Sequence, residues 1–137
     1  MHYREFYSEL GKLLYAVSNI SGGISEKEKK ALHEIVRKEL VPAERHKDKY
    51  GTDTAFYAEI EFEFLEEEHI EPEEAFNSFL DFIELHHTAF DERMRKLCIH
   101  VANEISESYN GTNEKENALI EKLKKKIRKI ERQEKKS

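Results

Sequence analysis

Apolar residues in this chain fall three and four positions apart in one segment after another. Phe6, Leu10, Leu13, Leu14, Val17 and Ile20 make one stripe, and Leu32, Ile35, Val36 and Leu40 make a second. Phe76, Phe79, Leu80, Ile83 and Phe90, with His87 on the same face, make another. Met94, Leu97, Cys98, Val101, Ala102 and Ile105 follow, then Leu119, Ile120, Leu123, Ile127 and Ile130. Each is the buried face of an amphipathic helix, so the chain is committed to packing helix on helix. One segment reads differently: Ala58-Glu59-Ile60-Glu61-Phe62-Glu63-Phe64 alternates in the period of a strand, although Phe56, Ile60 and Phe64 also share a helix face. No second segment alternates, and a lone strand would leave its backbone groups without partners, so a helix is predicted there.

Punctuation divides these stripes. Gly22-Gly23 ends the first helix, and Ser25 with Glu28 has the spacing of a capping box for the second. Pro42 ends or kinks that helix, and Lys47 to Asp53, with Gly51 at its middle, reads as a polar connection. Pro72 flanked by Glu71, Glu73 and Glu74 is a favourable first turn. Asp91 and Glu92 stand between the Phe76–Phe90 and Met94–Ile105 stretches, and whether these form one long helix or two is left open. After Tyr109-Asn110-Gly111 the last helix begins near Glu114. Leu13–Val36 and Leu97–Leu123 repeat a theme of helix, turn, Glu-Lys-Glu and helix. The expected fold is therefore an all-α single compact domain, with two helix-turn-helix halves around a central helix pair, which 137 residues at 38% hydrophobic content can support.

Charge is uneven along the chain. The net charge is −6, yet Lys122 to Ser137 holds nine basic residues against Glu131 and Glu134, so the rest carries −13. Residues 1–121 read as the folded body and 122–137 as a basic extension of the last helix. Lys124, Lys125, Lys126, Arg128 and Lys129 crowd that extension and form its candidate interaction surface. Its acceptor would be an acidic protein, the acidic body in cis or in a second copy, or a nucleic acid or anionic membrane. The expectation is that it serves association rather than core stability. No apolar run approaches a membrane span. The opening Met1-His2-Tyr3-Arg4-Glu5-Phe6 has no apolar secretory core, and Cys98 is the one cysteine, so a cytoplasmic location is expected.

Leu13-Leu14-Tyr15-Ala16-Val17-Ser18-Asn19-Ile20-Ser21-Gly22-Gly23-Ile24-Ser25-Glu26-Lys27-Glu28 resembles the first helix hairpin of the TerB-like (tellurite-resistance) family, in which a helix ends in an Ala-Asp-Gly-x-Ile turn and a Glu follows in the next helix. The motif covers about twenty residues, and the architecture most of the chain. The resemblance implies a compact all-helical fold with similar halves, a stress-response role, and a divalent-metal site of acidic residues at the two turns. Carried over, Glu28 takes the family's glutamate position, and Glu26, Glu114 and Glu116 lie nearby as candidate ligands. The turn aspartate falls on Ser21 and Asn110, and both departures remove a charge that a hard cation would use. First-turn glutamates also stabilise the helix dipole with no ligand at all.

Other constellations are weaker. Glu66-x-x-His69 and Glu84-x-x-His87 have the spacing of di-iron ligands, but about 22 Å of helix would separate the two histidines. His87 reads as a hydrogen-bonded core residue, His33 and His100 as solvated, and His86, His87 and Asp91 as a lesser grouping. Cys98 lies on an apolar stripe, and no glycine-rich phosphate loop or serine-nucleophile motif occurs. Phe82 lies off its helix's main stripe, which leaves apolar surface for another chain. The sequence thus points to a non-enzymatic interaction or stress-response module, with a protein partner or homo-oligomer and no cofactor required. The alternatives are a divalent-metal-binding helical protein and polyanion binding through the basic helix.

Overall fold

A computed structural model describes residues 3–22, 26–40, 54–108 and 113–136. Six helices account for most of them: α1 (Tyr3–Asn19), α2 (Glu26–Ile35), α3 (Tyr57–Glu67), α4 (Pro72–Leu85), α5 (Glu92–Glu107) and α6 (Glu114–Lys136). No strand occurs among the described residues, so the all-α reading holds, Ala58–Leu65 included. The Ser25 cap, Gly23, the Pro42 break, the Lys47–Asp53 connection and the Tyr109–Gly111 turn lie outside the described residues.

Local chemistry sets the ends. Pro72 occupies the first turn of α4, where its missing N–H is no loss. The stretch beyond Pro72 is two helices, because α4 stops at Leu85 and Asp91 starts α5 by accepting a hydrogen bond from the Met94 amide at 2.9 Å. Asn113 and Glu116 make a reciprocal capping box at the head of α6: Asn113 Oδ1 accepts from the Glu116 amide at 2.9 Å, and Glu116 Oε2 from the Asn113 amide at 3.2 Å. Helix α2 widens into a π-helical turn over Val36–Leu40.

Helix α1 is the hub. Leu10, Leu13, Leu14, Tyr15, Ala16 and Val17 are all buried, because α1 packs against α3, α4 and α5. Helix α2 packs chiefly on α5, and α6 on α5, α1 and α4. The middle helices α3 and α4 thus meet through α1 more than through each other. Gly11 permits a close approach of α1 to Ala58 and Glu61 of α3. Tyr15 stacks edge-on against Phe62, with ring centroids 5.8 Å apart, and donates to the Ile70 carbonyl at 2.5 Å, fastening the α3–α4 connection to α1.

The basic extension is corrected on one point. Its boundary at residue 121 falls inside α6, and Leu123, Ile127 and Ile130 are 0%, 2% and 1% exposed, within the main core. The charged face suits association, whereas the opposite face of the same helix completes the fold.

Candidate functional sites

The four glutamates at the helix heads divide into pairs. Glu28 and Glu116 are 5% and 6% exposed, whereas Glu26 and Glu114 face solvent. Two positions along a helix turn a side chain through about 200°, so Glu26 cannot join Glu28, nor Glu114 join Glu116. Burial raises the Glu116 carboxyl above the ordinary carboxylate range, and the nearby Glu28 charge adds to this, while the Asn113 amide and Ser106 hydroxyl favour the ionised form. The first and second turns also meet through a hydrogen bond from the Asn113 side chain to Ser21 Oγ. Asn110 is outside the described residues.

This placement makes a prediction about Glu116. A carboxyl whose affinity for protons rises on folding contributes stability in acid, and that contribution is lost as pH climbs through its folded value. Glu116→Gln keeps the capping geometry and removes the buried charge. The variant is expected to melt above the parent at neutral pH, with the difference closing below about pH 4, where an unfolded carboxyl is itself protonated. A lower melting temperature at neutral pH would instead mean that a cation or further donors hold the ionised group.

The basic residues of α6 are partly engaged within the chain. Lys126 Nζ lies 2.8 Å and Lys129 Nζ 3.6 Å from the Glu84 carboxylate of α4, and these contacts hold Glu84 below the usual carboxylate range. Lys124 pairs with Glu121 one turn earlier at 3.6 Å, while Lys125 and Arg128 face solvent. The tail thus docks on its own acidic body, one of the acceptors that the charge balance suggested.

The histidines are placed differently from expectation. His87 is not a core residue: its side chain is 43% exposed, just past the end of α4, and Nδ1 lies 2.8 Å from Glu134 of α6. His33 and His100 are partly exposed but not simply solvated, since His33 meets Glu59, and His100 meets Glu39 and Glu104. Glu66 pairs with Lys29 and Glu84 with α6, so the two Glu-x-x-His units assemble no common site. His86 packs on Phe82, which is half-buried rather than presented to solvent, and Asp91 caps α5. Cys98 is fully buried and its thiol strongly raised by that burial, which leaves it inert.

Two groupings that the sequence reading missed stand out among the described residues. His33 of α2 with Glu59 and Glu63 of α3, and Glu39 with His100 and Glu104 of α5, each bring three ligand-type atoms within 4.8 Å of one another. Glu59/Glu63 and His100/Glu104 have the four-residue spacing of one helix face, a signal present in the sequence, but the third member of each lies on another helix.

The large apolar residues most exposed are Ile60, at 53%, and Phe64, at 51%, on α3, and Leu85 at the end of α4. Ile60, Glu63, Phe64 and Glu67 recur at three- and four-residue spacing, and all are exposed. One face of α3 therefore interleaves two apolar side chains with two carboxylates. Among the described residues, no helix is long and apolar enough to cross a membrane. Comparison with protein-family models, with curated proteins and with solved structures returned no match.

Proposed function

We propose that this protein is a non-catalytic interaction module whose α3 face receives a basic amphipathic segment of another protein. The observation that carries this reading is the exposed Ile60–Phe64 pair. An isolated exposed apolar residue such as Leu85 is ordinary, but two side chains one turn apart on one helix face form a contact surface that water penalises. Their neighbours select the partner's chemistry. Helix α3 contains five glutamates and no lysine or arginine, and Glu63 and Glu67 flank the apolar pair on the same face. A partner helix with apolar residues at four-residue spacing and lysines or arginines beside them matches both features.

The TerB-like resemblance supports the same class, a helical module acting through association in a stress response. The contact between the Ser21 and Asn113 turns, and the facing of Glu28 and Glu116, accord with the paired hairpins that the resemblance implies. Polyanion binding through α6 has less support, because Lys124, Lys126 and Lys129 already have carboxylate partners in the chain.

A fluorescein-labelled helical peptide of alternating leucine and lysine faces provides the probe. Its anisotropy is expected to rise with the unaltered protein, and Ile60→Ser combined with Phe64→Ser to weaken binding tenfold or more. Both positions are already half in water, so melting should stay close to the parent's. Equal binding by parent and variant, or no binding by the parent at moderate salt, would remove the basis for this reading.

A further inference from the structure

We propose that the outward face of α6 docks on the α3 face of a second copy of this chain, and that two copies pair reciprocally through this contact. The pairing rests on the docking role proposed for the Ile60–Phe64 face and gives that face a resting occupant. Lys122, Lys125, Arg128, Arg132 and Lys135 are exposed on α6 and recur at three- and four-residue spacing, so they form one stripe about 20 Å long. None of the five has a carboxylate partner among the described residues. The acids of the same stretch point elsewhere: Glu131 reaches Arg95 at 3.9 Å, and Glu134 reaches His87 at 2.8 Å. Burial of Leu123, Ile127 and Ile130 on the opposite side fixes the stripe outward.

The complement is on another part of the fold. Residues 63–74 hold seven glutamates and no lysine or arginine. Lys29 engages Glu66 at 3.1 Å, and the other six are exposed. Glu63 and Glu67 alternate there with Ile60 and Phe64 along one face of α3, at the same three- and four-residue period as the stripe. Two helices matched in this way lie along each other with lysine and arginine heads against the carboxylates. The methylene stems below those heads are apolar and cover Ile60 and Phe64, and a guanidinium over the Phe64 ring adds a cation–π contact.

A second copy is the occupant that the charge distribution selects. Helix α6 packs on α5, α1 and α4, and its stripe points away from all three, so it cannot reach the α3 face of its own chain. Each copy presents one stripe and one α3 face, so a two-fold pair satisfies both at once and leaves neither open to build a chain of copies. A DNA duplex or an anionic bilayer along α6 would instead be repelled by the strongly acidic remainder of the chain, with no contact for Ile60 and Phe64. Opposite charges steer the two copies together, and the apolar pair with the stems over it holds them. Since a partner's basic segment needs the same α3 face, the pair is the closed form of the module, and such a segment opens it.

The test is sedimentation velocity of the full chain across a range of concentrations at low and high salt. Dimers are expected at low salt, with dissociation as ionic strength rises. Glu63→Lys with Glu67→Lys, and separately Lys125→Glu with Arg128→Glu, should each weaken pairing tenfold or more, because like charges then face each other. An equimolar mixture of the two variants should pair again, since each reversed surface meets its complement, and that recovery also shows both to be folded. A parent monomeric at every concentration, dimers that persist in either variant alone, or a mixture that stays monomeric would overturn the assignment. So would a monomeric parent that binds a DNA duplex or phosphatidylserine vesicles through the stripe. The leucine–lysine peptide separates this pairing from the docking role it rests on. A monomeric parent that binds the peptide overturns the pairing alone, whereas dimers that the peptide fails to open overturn the peptide reading and leave the pairing in place.

Discussion

A chain cut after Glu121 is expected not to fold. The cut removes Leu123, Ile127 and Ile130, three side chains almost wholly withdrawn from water. Burial of a leucine or isoleucine is worth about 1.5–3 kcal/mol, so the three together approach roughly 5–9 kcal/mol. A domain of this kind has about 5–15 kcal/mol of stability in total. The loss also propagates, because the eight residues left of α6 are too few to stay helical alone, and Leu119 and Ile120 lose their positions with it. Ion pairs cannot replace this contribution, since exposed contacts such as Lys129 with Glu84 are screened by the surrounding water. Far-UV circular dichroism and thermal melting decide the point. The truncated chain should show low helicity and no cooperative transition, whereas Lys125→Ala with Arg128→Ala, both on the exposed face, should melt like the parent. A truncated chain melting cooperatively within a few degrees of the parent would return the segment to the role that its charge suggested.

That example shows what a sequence of this kind discloses. Helix positions were legible because the three- and four-residue spacing of apolar side chains is a local property, and the capping signals at Pro72 and Asp91 are local too. The helical state of Ala58–Leu65 was legible by elimination, since nothing offered it a strand partner. Which helix sits at the centre was not. Gly11 is an unremarkable glycine in sequence, and only packing makes it the point where α1 and α3 nearly touch. The same limit governed the sites. Glu28 and Glu116 could be nominated from matching turns, but their burial beside each other, apart from Glu26 and Glu114, depends on how the two hairpins meet. Glu39 and His100 are 61 positions apart, and no local pattern joins them. His87 erred in the other direction: it continues an apolar stripe, yet α4 stops two residues earlier and the side chain turns to Glu134 instead.

Gly11→Ala carries the second large effect, and two opposing terms decide its sign. In a helix interior alanine is favoured over glycine by about 1 kcal/mol, so at an open position the substitution would stabilise α1. Position 11 is not open. A methyl group there would lie 2.4 Å from the Ala58 carbonyl oxygen, 3.1 Å from its carbon and 3.0 Å from Glu61 Cβ. The first two belong to the backbone of α3, which no rotamer change can move aside, so the helices must separate or tilt. Separation loosens the contact between Tyr15 and Phe62 and opens the α1–α3 interface, where Leu14 and Ala58 are fully buried, to water. Overpacking of this kind costs typically about 1–3 kcal/mol and occasionally more, and contact with backbone places it at the upper end, above the propensity gain. The variant is therefore expected to melt lower by roughly 5–10 °C, taking about 4 °C per kcal/mol for a domain of this size. Gly22→Ala provides the contrast. A side chain at Gly22 meets nothing within 4 Å, but its φ of +103° strains any residue with a Cβ, so the penalty there comes from the backbone and leaves the helix contacts intact. Near-ultraviolet circular dichroism of the tyrosines separates the two, because only the Gly11 variant should disturb Tyr15. A Gly11→Ala protein that melts at or above the parent temperature would show that α1 and α3 have slack at this crossing, and that α1 is not the rigid hub around which the other helices pack.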